Sequence, residues 1–441
     1  MPKLVQKLKL TTIRNLVLTL CFVIISGYAG YFLGVHQIKT WNDLLPVLKN
    51  ETKGNIAQEQ TINRSQPSNK NVDMSLFWQV WDKVEANYLF QDKIDYQKMV
   101  NGAAEGMVKA LGDPYTAFFP PTENKTSKEN LNGSFFGVGI QLGYKKDQLA
   151  VIAPLSGMPA EKLGVKAGDY ILHIKDSQKG IDEDAYNLNL QDALEKIRGE
   201  KGTSVTLTLL HEGDSKSYEV TIVREEIIVP SVEVDFGQYI NGQYTKEATG
   251  SGKLVAHLKL SRFGELTASQ WDEAIEKILA KQKDLGGVVL DLRNNPGGYM
   301  NEAVNLSAEF LPLGKVVVKQ ENANTPDQIF KTSRVGRLLD MPLVVLVNAG
   351  SASASEILAG ALRDNGRAKI VGTTSFGKGT IQSAEDLENG AGVHITIARW
   401  LTPNGEWVHD KGLEPDVKVD LDPNNPTVDT QLNKATEMAL Q

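Results

Sequence analysis

Cysteine is almost absent from this chain of 441 residues. The one cysteine, Cys21, lies in an apolar run, so no disulfide can form within the chain and no cysteine-based zinc site can be built. The six histidines are scattered and form no HExxH motif or other close ligand pair, so we expect no metal centre and no cofactor. The net charge of -7, with no basic patch beyond the N-terminus, argues against nucleic-acid binding.

The N-terminus combines a basic segment with a long apolar run. Residues 1–15 carry four basic side chains, and residues 16–35 are nearly all apolar or glycine. A helix of about 20 such residues can cross a bilayer, and the flanking positive charge favours a cytoplasmic N-terminus. We therefore predict a single-pass signal anchor in the cell membrane, with the chain beyond it extracytoplasmic. A cleaved signal peptide is the alternative, for which residues 28–30 offer a poor cleavage site.

Composition and periodicity divide the first half of the remaining chain. Residues 36–72 are polar and read as a flexible linker. Helical spacing of apolar side chains marks residues 73–132, where a helix is predicted from Asp95 to Leu111. Residues 133–226 contain several short alternating segments and predict a small β-rich module, with a first strand over residues 135–142.

The second half has a different pattern. Compact apolar strands alternate with helices over residues 227–425. This alternation predicts an α/β core with a mostly parallel, buried sheet and flanking helices. Residues 426–441 are interpreted as a C-terminal tail that can form a helix.

Ser353 lies where an apolar strand gives way to a helix. Ser353 and Glu356 fit a capping box, which alone would explain the serine. A helix N-terminus also carries partial positive charge and free N–H groups, which suit a developing oxyanion. The serine can therefore serve as a nucleophile, with the N–H of Ala354 as one oxyanion donor.

Lys378 lies 25 positions further on, in a loop between Gly377 and Gly379. A lone loop lysine is usually a solvated charge, but flanking glycines permit close approach of other segments. A lysine that has lost its proton can act as the base for a serine without histidine. That role requires burial, which lowers the pKa of the amine. Gln382 could hold the amine by a side-chain hydrogen bond, or could be an ordinary surface residue.

Two glycine-containing segments complete the candidate sites. Residues 290–298 end a strand in a tight turn, where either Gly297 or Gly298 could supply a second oxyanion donor. The segment Gly137-Val-Gly139 has the wrong glycine spacing for a dinucleotide site. Its backbone N–H groups could instead capture the terminal carboxylate of a peptide that adds as a strand.

Together these motifs resemble the C-terminal processing peptidases, also called tail-specific proteases, over residues 77–419. The order and spacing of the motifs carry the resemblance more than any one of them. Gly112-Asp-Pro-Tyr-Thr116 is similar to the segment that precedes the family's PDZ domain. The PDZ-like segments are Phe136-Gly-Val-Gly-Ile140 and Pro159-Ala-Glu-Lys-Leu-Gly-Val-Lys-Ala-Gly-Asp169. The core-like segments are Leu292-Arg-Asn-Asn-Pro-Gly-Gly298, Gly350-Ser-Ala-Ser-Ala-Ser-Glu-Ile357, Phe376-Gly-Lys-Gly-Thr380 and Gly412-Leu-Glu-Pro-Asp-Val417.

The resemblance implies a membrane-anchored serine endopeptidase with an inserted PDZ domain over residues 133–226 and a protease core over 227–425. It implies three catalytic residues, namely Ser353 as nucleophile, Lys378 as general base and Gln382. The oxyanion donors would come from Ala354 and from Gly297 or Gly298. The peptide-binding residues would be Gly137, Val138, Gly139, Ile140 and Arg198.

Other expectations follow from the same resemblance. Its partners would be proteins or peptides with accessible C-termini, and assembly into a homo-oligomer is left open. Asp364 and Arg367 are expected to hold the core together. Two segments depart from the family pattern, a hairpin tip at Asn241–Ser251 and the segment Trp400–Asn404, and neither is expected to touch the chemistry.

Two other functions compete with this interpretation. A non-catalytic PDZ scaffold in the cell envelope would keep the protease-like core as structure only. A Ser-His-Asp hydrolase would need a histidine near Ser353, and His394 is the nearest in sequence. His394 lies in an alternating strand, which favours a cross-strand contact over catalysis.

Overall fold

The computed structural model describes residues 72–146, 148–186, 188–246, 252–425 and 427–441. The chain divides into two compact units, residues 1–94 and 95–441. The predicted cytoplasmic tail, the signal anchor and the linker up to residue 71 lie outside the described residues. Within the described ranges, no helix has the length and apolar character needed to cross a membrane.

The described part of the first unit is a helix, α1 (Ser75–Asn87), followed by a short 3₁₀ turn, Gln91–Lys93. The prediction of helical structure here, which rested on the spacing of apolar side chains, is confirmed. Its aromatic side chains pack on one another, with the rings of Phe77 and Trp78 edge to face at 4.8 Å.

The second unit contains the remaining helices. The helix predicted after Asp95 is confirmed as α2 (Tyr96–Lys109), capped by a hydrogen bond from Lys98 N to the Asp95 carboxylate. Gly112, with a φ of 72°, follows its end. The other helices are α3 (Pro121–Asn132), α4 (Pro159–Lys162), α5 (Leu190–Ile197), α6 (Thr267–Ala280), α7 (Met300–Ser307), α8 (Ala354–Asp364) and α9 (Thr430–Ala439).

The strands of the described residues form four sheets. In chain order they are β1 (Ala117–Phe119), β2 (Ser134–Gly137), β3 (Ile140–Lys145), β4 (Gln148–Pro154), β5 (Tyr170–Asp176), β6 (Ile181–Asp184), β7 (Ser204–Leu210), β8 (Tyr218–Val223), β9 (Glu225–Ile228), β10 (Val232–Ile240), β11 (Gln243–Lys246), β12 (Leu254–Leu260), β13 (Leu285–Asp291), β14 (Val316–Asn322), β15 (Gln328–Lys331), β16 (Leu343–Val347), β17 (Lys369–Gly372), β18 (Thr380–Asp386), β19 (Gly392–Leu401) and β20 (Val417–Lys418).

The core sheet has seven strands in the order β11-β10-β12-β13-β16-β17-β20. Strands β12, β13, β16, β17 and β20 run parallel, as the sequence predicted, and β10 and β11 extend the sheet as an antiparallel edge. Both faces of the parallel part are covered. Successive side chains of β13 alternate between them, Val288 and Leu290 facing α6, α7 and α8, and Val289 facing α9. The predicted C-terminal tail is therefore a helix packed against the core.

A second sheet of the core was not predicted. It is antiparallel, with the order β1-β19-β14-β15, and β18 pairs with β19 as well. Strand β1 precedes the β-rich module in sequence, yet Ala117 pairs with His394 of β19. The segment between α2 and the module is thus built into the core.

A two-stranded antiparallel ribbon connects the β-rich module to the rest of the chain. In this ribbon β2 pairs with β9, and Ser134 lies opposite Ile228. Its six-stranded sheet has the order β3-β4-β5-β7-β8, with β6 paired to β5. The prediction of a single strand over residues 135–142 is wrong, because β2 ends at Gly137 and β3 begins at Ile140. Gly139 has a φ of 76°, and a Cβ there would lie 2.2 Å from the Cβ of Met158.

Candidate active site

Ser353 follows the buried strand β16 and stands at the N-cap of α8. Its backbone has φ 54° and ψ -114°, a conformation that non-glycine residues rarely adopt and that costs about 1–3 kcal/mol. A strained serine between a strand and a helix is the geometry that exposes a nucleophile in several hydrolase folds. Because the surrounding packing holds it there, the strain points to a function beyond capping.

Glu356 connects the serine to the lysine loop. Its side chain is fully buried, and one carboxylate oxygen accepts hydrogen bonds from the backbone N–H of Ser353 at 2.7 Å and of Lys378 at 2.9 Å. The other oxygen accepts from the N–H of Gly377 at 2.7 Å and from the hydroxyl of Ser375 at 2.6 Å. The glutamate predicted as a capping-box residue therefore also fixes the loop that carries the candidate base.

Lys378 lies in the loop between β17 and β18, and its backbone is held on several sides. The indole N–H of Trp400 donates to the Lys378 carbonyl, and that of Trp407 donates to the Gly379 carbonyl, both at 2.9 Å. Gly377 has a φ of 89°, and a Cβ there would lie 2.8 Å from the backbone nitrogen of Gly412. The glycines permit this close packing, as expected.

The environment of the Lys378 amine favours loss of its proton. Burial lowers the pKa of Lys378, while the carboxylates of Asp113 and Glu356 act in the opposite direction. The net direction is downward. This is the shift that a general base at this position requires.

Gln382 follows the lysine loop on β18, but its hydrogen-bond partners differ from the Lys378 amine that the sequence suggested. Its amide nitrogen donates to the hydroxyls of Thr380 at 2.9 Å and Thr396 at 3.0 Å. Among the described residues, no hydrogen bond joins the Ser353 hydroxyl, the Lys378 amine and the Gln382 amide to one another. The structure brings Ser353 and Lys378 together through Glu356.

The turn after β13 lies against the start of α8. A Cβ at Gly297 would lie 2.7 Å from the Ala352 carbonyl oxygen and 2.9 Å from the Ser353 Cβ, so only glycine fits. Asn295 holds the turn in place: its side-chain oxygen accepts from Gly297 N, and its carbonyl accepts from the Ala352 N–H and the Ser355 hydroxyl. These contacts bring the glycine pair beside the candidate nucleophile.

Comparisons with known proteins identify the family of the chain. Residues 254–419 match the model of peptidase family S41, and residues 24–121 match that of the N-terminal domain of the activating protease CtpB. The carboxy-terminal processing protease CtpA of Bacillus subtilis (strain 168) is 35% identical over 342 residues, which cover 77% of this chain and 68% of CtpA. CtpB of the same organism is 33% identical over 344 residues, which cover 77% of this chain and 67% of CtpB.

The chain belongs to peptidase family S41. It is a serine-type peptidase, related to the carboxy-terminal processing proteases. Among solved structures, a photosystem II D1 C-terminal processing protease matches 83% of this chain and 97% of its own, with 28% identity and a TM-score of 0.45.

In this S41 peptidase, a network of charged side chains adjoins the turn that follows β13. Arg293, just before the turn, donates to the carboxylates of Asp291 and of Asp429, which is the N-cap of α9. Burial opposes ionisation of Asp291, but His257 and Arg293 hold its pKa well below the usual range. Burial alone would lower the pKa of His257, whereas Asp235 and Asp291 raise it to about 9.

The two family-matched core residues have structural partners. Arg367 donates to the backbone carbonyls of Phe310, Leu338 and Met341. Asp364 accepts from the side chain of Arg363 and from the N–H of Asn404. Neither contacts Ser353 or Lys378, in agreement with the expected structural role.

Four residues of the peptidase site were given no catalytic or supporting role by the sequence. Glu356 was visible only as a local cap, and Asn295 only as part of a turn. The expectation that the segment starting at Trp400 lies away from the chemistry was wrong, because its indole binds the Lys378 carbonyl. Tyr115 belonged to a motif that the sequence analysis noted, but its position beside Lys378 was not predicted. Its ring centroid is 5.2 Å from the Lys378 amine.

The proposed peptide-binding residues lie together on the β-rich module. Gly137, Val138, Gly139, Ile140 and Arg198 line one cavity of about 220 Å³ between the edge strand β3 and helix α5. Apolar side chains form most of the remaining wall, namely Phe135, Leu142, Leu190, Leu194 and Ile197.

Arg198 is the one charged residue among the described residues that line this cavity. Its guanidinium lies 4.0 Å from the centroid of the Phe135 ring, and one of its nitrogens is 3.6 Å from the carboxylate of Glu129 on α3. A cation in the lining of an apolar groove suits a ligand that carries a negative charge at its terminus.

Proposed function

We propose that the protein is a membrane-anchored serine endopeptidase that binds the C-terminal tails of proteins through a PDZ domain and cleaves them by a Ser-Lys mechanism. The PDZ domain would span residues 133–226, between a helical part at 73–132 and the protease core at 227–425. The observation that carries the proposal is the buried Glu356 carboxylate, which binds the backbone of both Ser353 and Lys378. A single carboxylate thus fixes the relative position of nucleophile and base.

In the acylation step, neutral Lys378 accepts the proton of the Ser353 hydroxyl while the oxygen attacks the carbonyl carbon of the scissile peptide bond. The tetrahedral intermediate then collapses, and the ammonium of Lys378 gives its proton to the departing amine. Water, activated by the same amine, hydrolyses the resulting ester and frees Ser353. The lowered pKa of Lys378 supports this cycle because it increases the neutral fraction near neutral pH.

The oxyanion would accept hydrogen bonds from the N–H groups of Ala354 and Gly298. The N–H of Gly297 already donates to the Asn295 side chain at 2.9 Å. Within the described part of the chain, neither the N–H of Ala354 nor that of Gly298 has an acceptor. Two unpaired donors beside a nucleophile favour this assignment over one that uses Gly297.

Gln382 would orient the lysine. Its amide nitrogen is engaged by the hydroxyls of Thr380 and Thr396, which leaves its oxygen as the group to accept from the Lys378 amine. This contact would form when the amine turns toward Ser353, and it would guide the lysine without taking part in proton transfer.

Recognition would take place at the cavity beside β3. Strand β3 is at the edge of its sheet, so an extended tail can pair with it. The apolar wall suits an apolar last side chain, and the N–H groups of residues 137–140 together with Arg198 suit the terminal carboxylate. Residues 16–35 would anchor the peptidase in the membrane, which keeps this site close to envelope proteins.

The proposal is tested with a reporter domain that carries an unstructured tail ending in valine. We expect Ser353→Ala and Lys378→Ala to abolish cleavage, as measured by mass spectrometry of new C-termini. Lys369→Ala is the matched control, because that lysine is exposed and its amine pairs with Asp416. Wild-type rates in either site variant would refute the Ser-Lys mechanism.

A second variant tests whether the protein is instead a Ser-His-Asp hydrolase that uses His394. His394 packs its ring on Phe119 at 4.5 Å, so we expect His394→Ala to retain cleavage. Loss of turnover in that variant would favour a histidine-dependent hydrolase.

The membrane anchor is tested by sedimentation. Protein that carries residues 1–35 should sediment with membranes, and a chain starting at residue 36 should not. Equal sedimentation of the two would contradict the anchor.

A further inference from the structure

Tyr115 comes from outside the protease core but contacts its candidate base. It lies between α2 and β1, in the range matched by the N-terminal domain model and outside the S41 match at 254–419. Its ring centroid is nevertheless 5.2 Å from the Lys378 amine, within the range of a cation–π contact. The core sequence by itself therefore lacks one wall of the lysine site.

The loop that carries Tyr115 is fixed at both ends of the tyrosine. The Asp113 carboxylate accepts hydrogen bonds from the Tyr115 N–H at 3.0 Å and from the Thr116 hydroxyl at 2.6 Å. The Thr116 hydroxyl in turn accepts from the N–H of Thr396 on β19 at 3.0 Å. Thr396 also binds Gln382, so the tyrosine loop is tied to the same strand as the proposed orienting residue.

Two further rings continue the wall. Tyr115 meets His409 edge to face at 5.8 Å, and His409 stacks on Trp407 at 4.9 Å with an interplanar angle of 8°. Trp407 donates to the carbonyl of Gly379, the residue after the lysine. We name these three residues, Tyr115, Trp407 and His409, the aromatic cover.

We propose that Tyr115 is a positioning residue for the Ser-Lys reaction, whose ring closes the aromatic cover and keeps water away from the Lys378 amine. The inference rests on the proposed function, because it assigns a role only if Lys378 is the base. It also gives the segment before the PDZ-like module a direct part in the reaction, since that segment supplies the ring.

The direction of the effect follows from two opposing forces. A ring over an ammonium stabilises the charged form, but exclusion of water destabilises it. Burial is the dominant influence on the pKa of Lys378, so removal of the ring should make the neutral amine scarcer. Among the described residues, the titratable or charged groups that face this site are Asp113, Glu356, Tyr115, His394, His409 and Asp410.

The test is the rate at which a fluorophosphonate labels Ser353, measured as a function of pH in the full chain. Tyr115→Phe keeps the ring and should match wild type. Tyr115→Leu should move the midpoint of the profile to higher pH, and the rate near neutrality should fall about tenfold for each pH unit by which the midpoint rises. Its rate should converge with wild type at alkaline pH, which a purely structural defect would not produce. Tyr186→Leu is the control, because Tyr186 is 72% exposed on the module.

Several outcomes would overturn the inference. An unchanged or lowered midpoint in Tyr115→Leu would show that the ring does not exclude water from the amine. A change in KM for a tail substrate with an unchanged profile would make Tyr115 a substrate contact. If Tyr115→Leu does not fold, Thr116→Val, which loosens the loop, should move the midpoint in the same direction, and an unchanged midpoint would refute the role.

The inference and the proposed function fail separately. If Ser353→Ala or Lys378→Ala still cleaves the tail reporter, the Ser-Lys mechanism is wrong and the role of Tyr115 falls with it. If both variants are inactive while Tyr115→Leu behaves as wild type, only the aromatic cover is refuted.

Discussion

The replacement Glu356→Gln removes the charge that joins the two halves of the proposed active site. The carboxylate is fully buried and accepts four hydrogen bonds, two on each oxygen. A glutamine has one oxygen and one NH₂ group. Its oxygen can serve Ser353 N and Lys378 N, and its NH₂ can donate to the Ser375 hydroxyl, but the N–H of Gly377 is then left without an acceptor.

The size of the effect can be estimated from these contacts. A buried donor without a partner costs about 1–3 kcal/mol, and each of the two retained bonds loses about 1 kcal/mol with the charge. The neutral amide is easier to bury than a carboxylate, which offsets part of this loss. We expect the free energy of unfolding to fall by about 3 kcal/mol, a large share of the typical total of about 5–15 kcal/mol.

The assay is urea unfolding followed by circular dichroism, with cleavage of the tail reporter measured under native conditions. Activity should fall by more than the folded fraction does, because the loop of Lys378 loses its fixed position. Glu273→Gln is the matched control, since Glu273 is exposed on α6, and its effect should stay within about 0.5 kcal/mol. A Glu356→Gln protein with wild-type stability and activity would refute the role of this carboxylate.

Three further results are expected. Gly297→Ala should abolish cleavage in the reporter assay, because its Cβ would lie 2.7 Å from the Ala352 carbonyl oxygen at a φ of 100°, and retained activity would contradict the proposed turn. The pKa of His257 is raised from 6.5 to about 9, so its contribution to stability is complete below pH 6.5 and is lost as the pH rises through about 9. The urea midpoint should fall across that window in wild type and stay flat in His257→Gln. Asp176→Asn leaves the buried Arg224 without its carboxylate and should cost about 3–5 kcal/mol in calorimetric unfolding, whereas a loss below about 1 kcal/mol would show that the pair is dispensable.

The sequence was most informative where structure is local. A strand followed by Ser353 and a capping glutamate predicted the helix N-terminus, and glycines on both sides of Lys378 predicted a tightly packed loop. The parallel order of the core strands likewise followed from their alternation with helices. The first two features depend on neighbours within a few residues, and the third depends on a pattern repeated along the core.

Features that depend on distant contacts could not be predicted in the same way. The hydroxyl of Thr116 binds a residue 280 positions away, so nothing near Tyr115 shows that its ring covers the lysine. The antiparallel sheet around β19 combines strands from both sides of the β-rich module, and β1, which joins it from before the module, has only three residues. Glu356 satisfied a local pattern, which concealed its bonds to residues 19 to 22 positions further on.

The proposed mechanism requires that the amine of Lys378 lose its proton more readily than an ordinary lysine, whose pKa is 10.5. The direct measurement is ¹³C NMR of Ser353→Ala protein with labelled lysine side chains, titrated with pH and assigned by comparison with a Lys378→Met sample. We predict one resonance, absent from the second sample, that titrates at clearly lower pH than the exposed lysines. A Lys378 resonance that titrates together with the surface lysines would refute the role of Lys378 as the base.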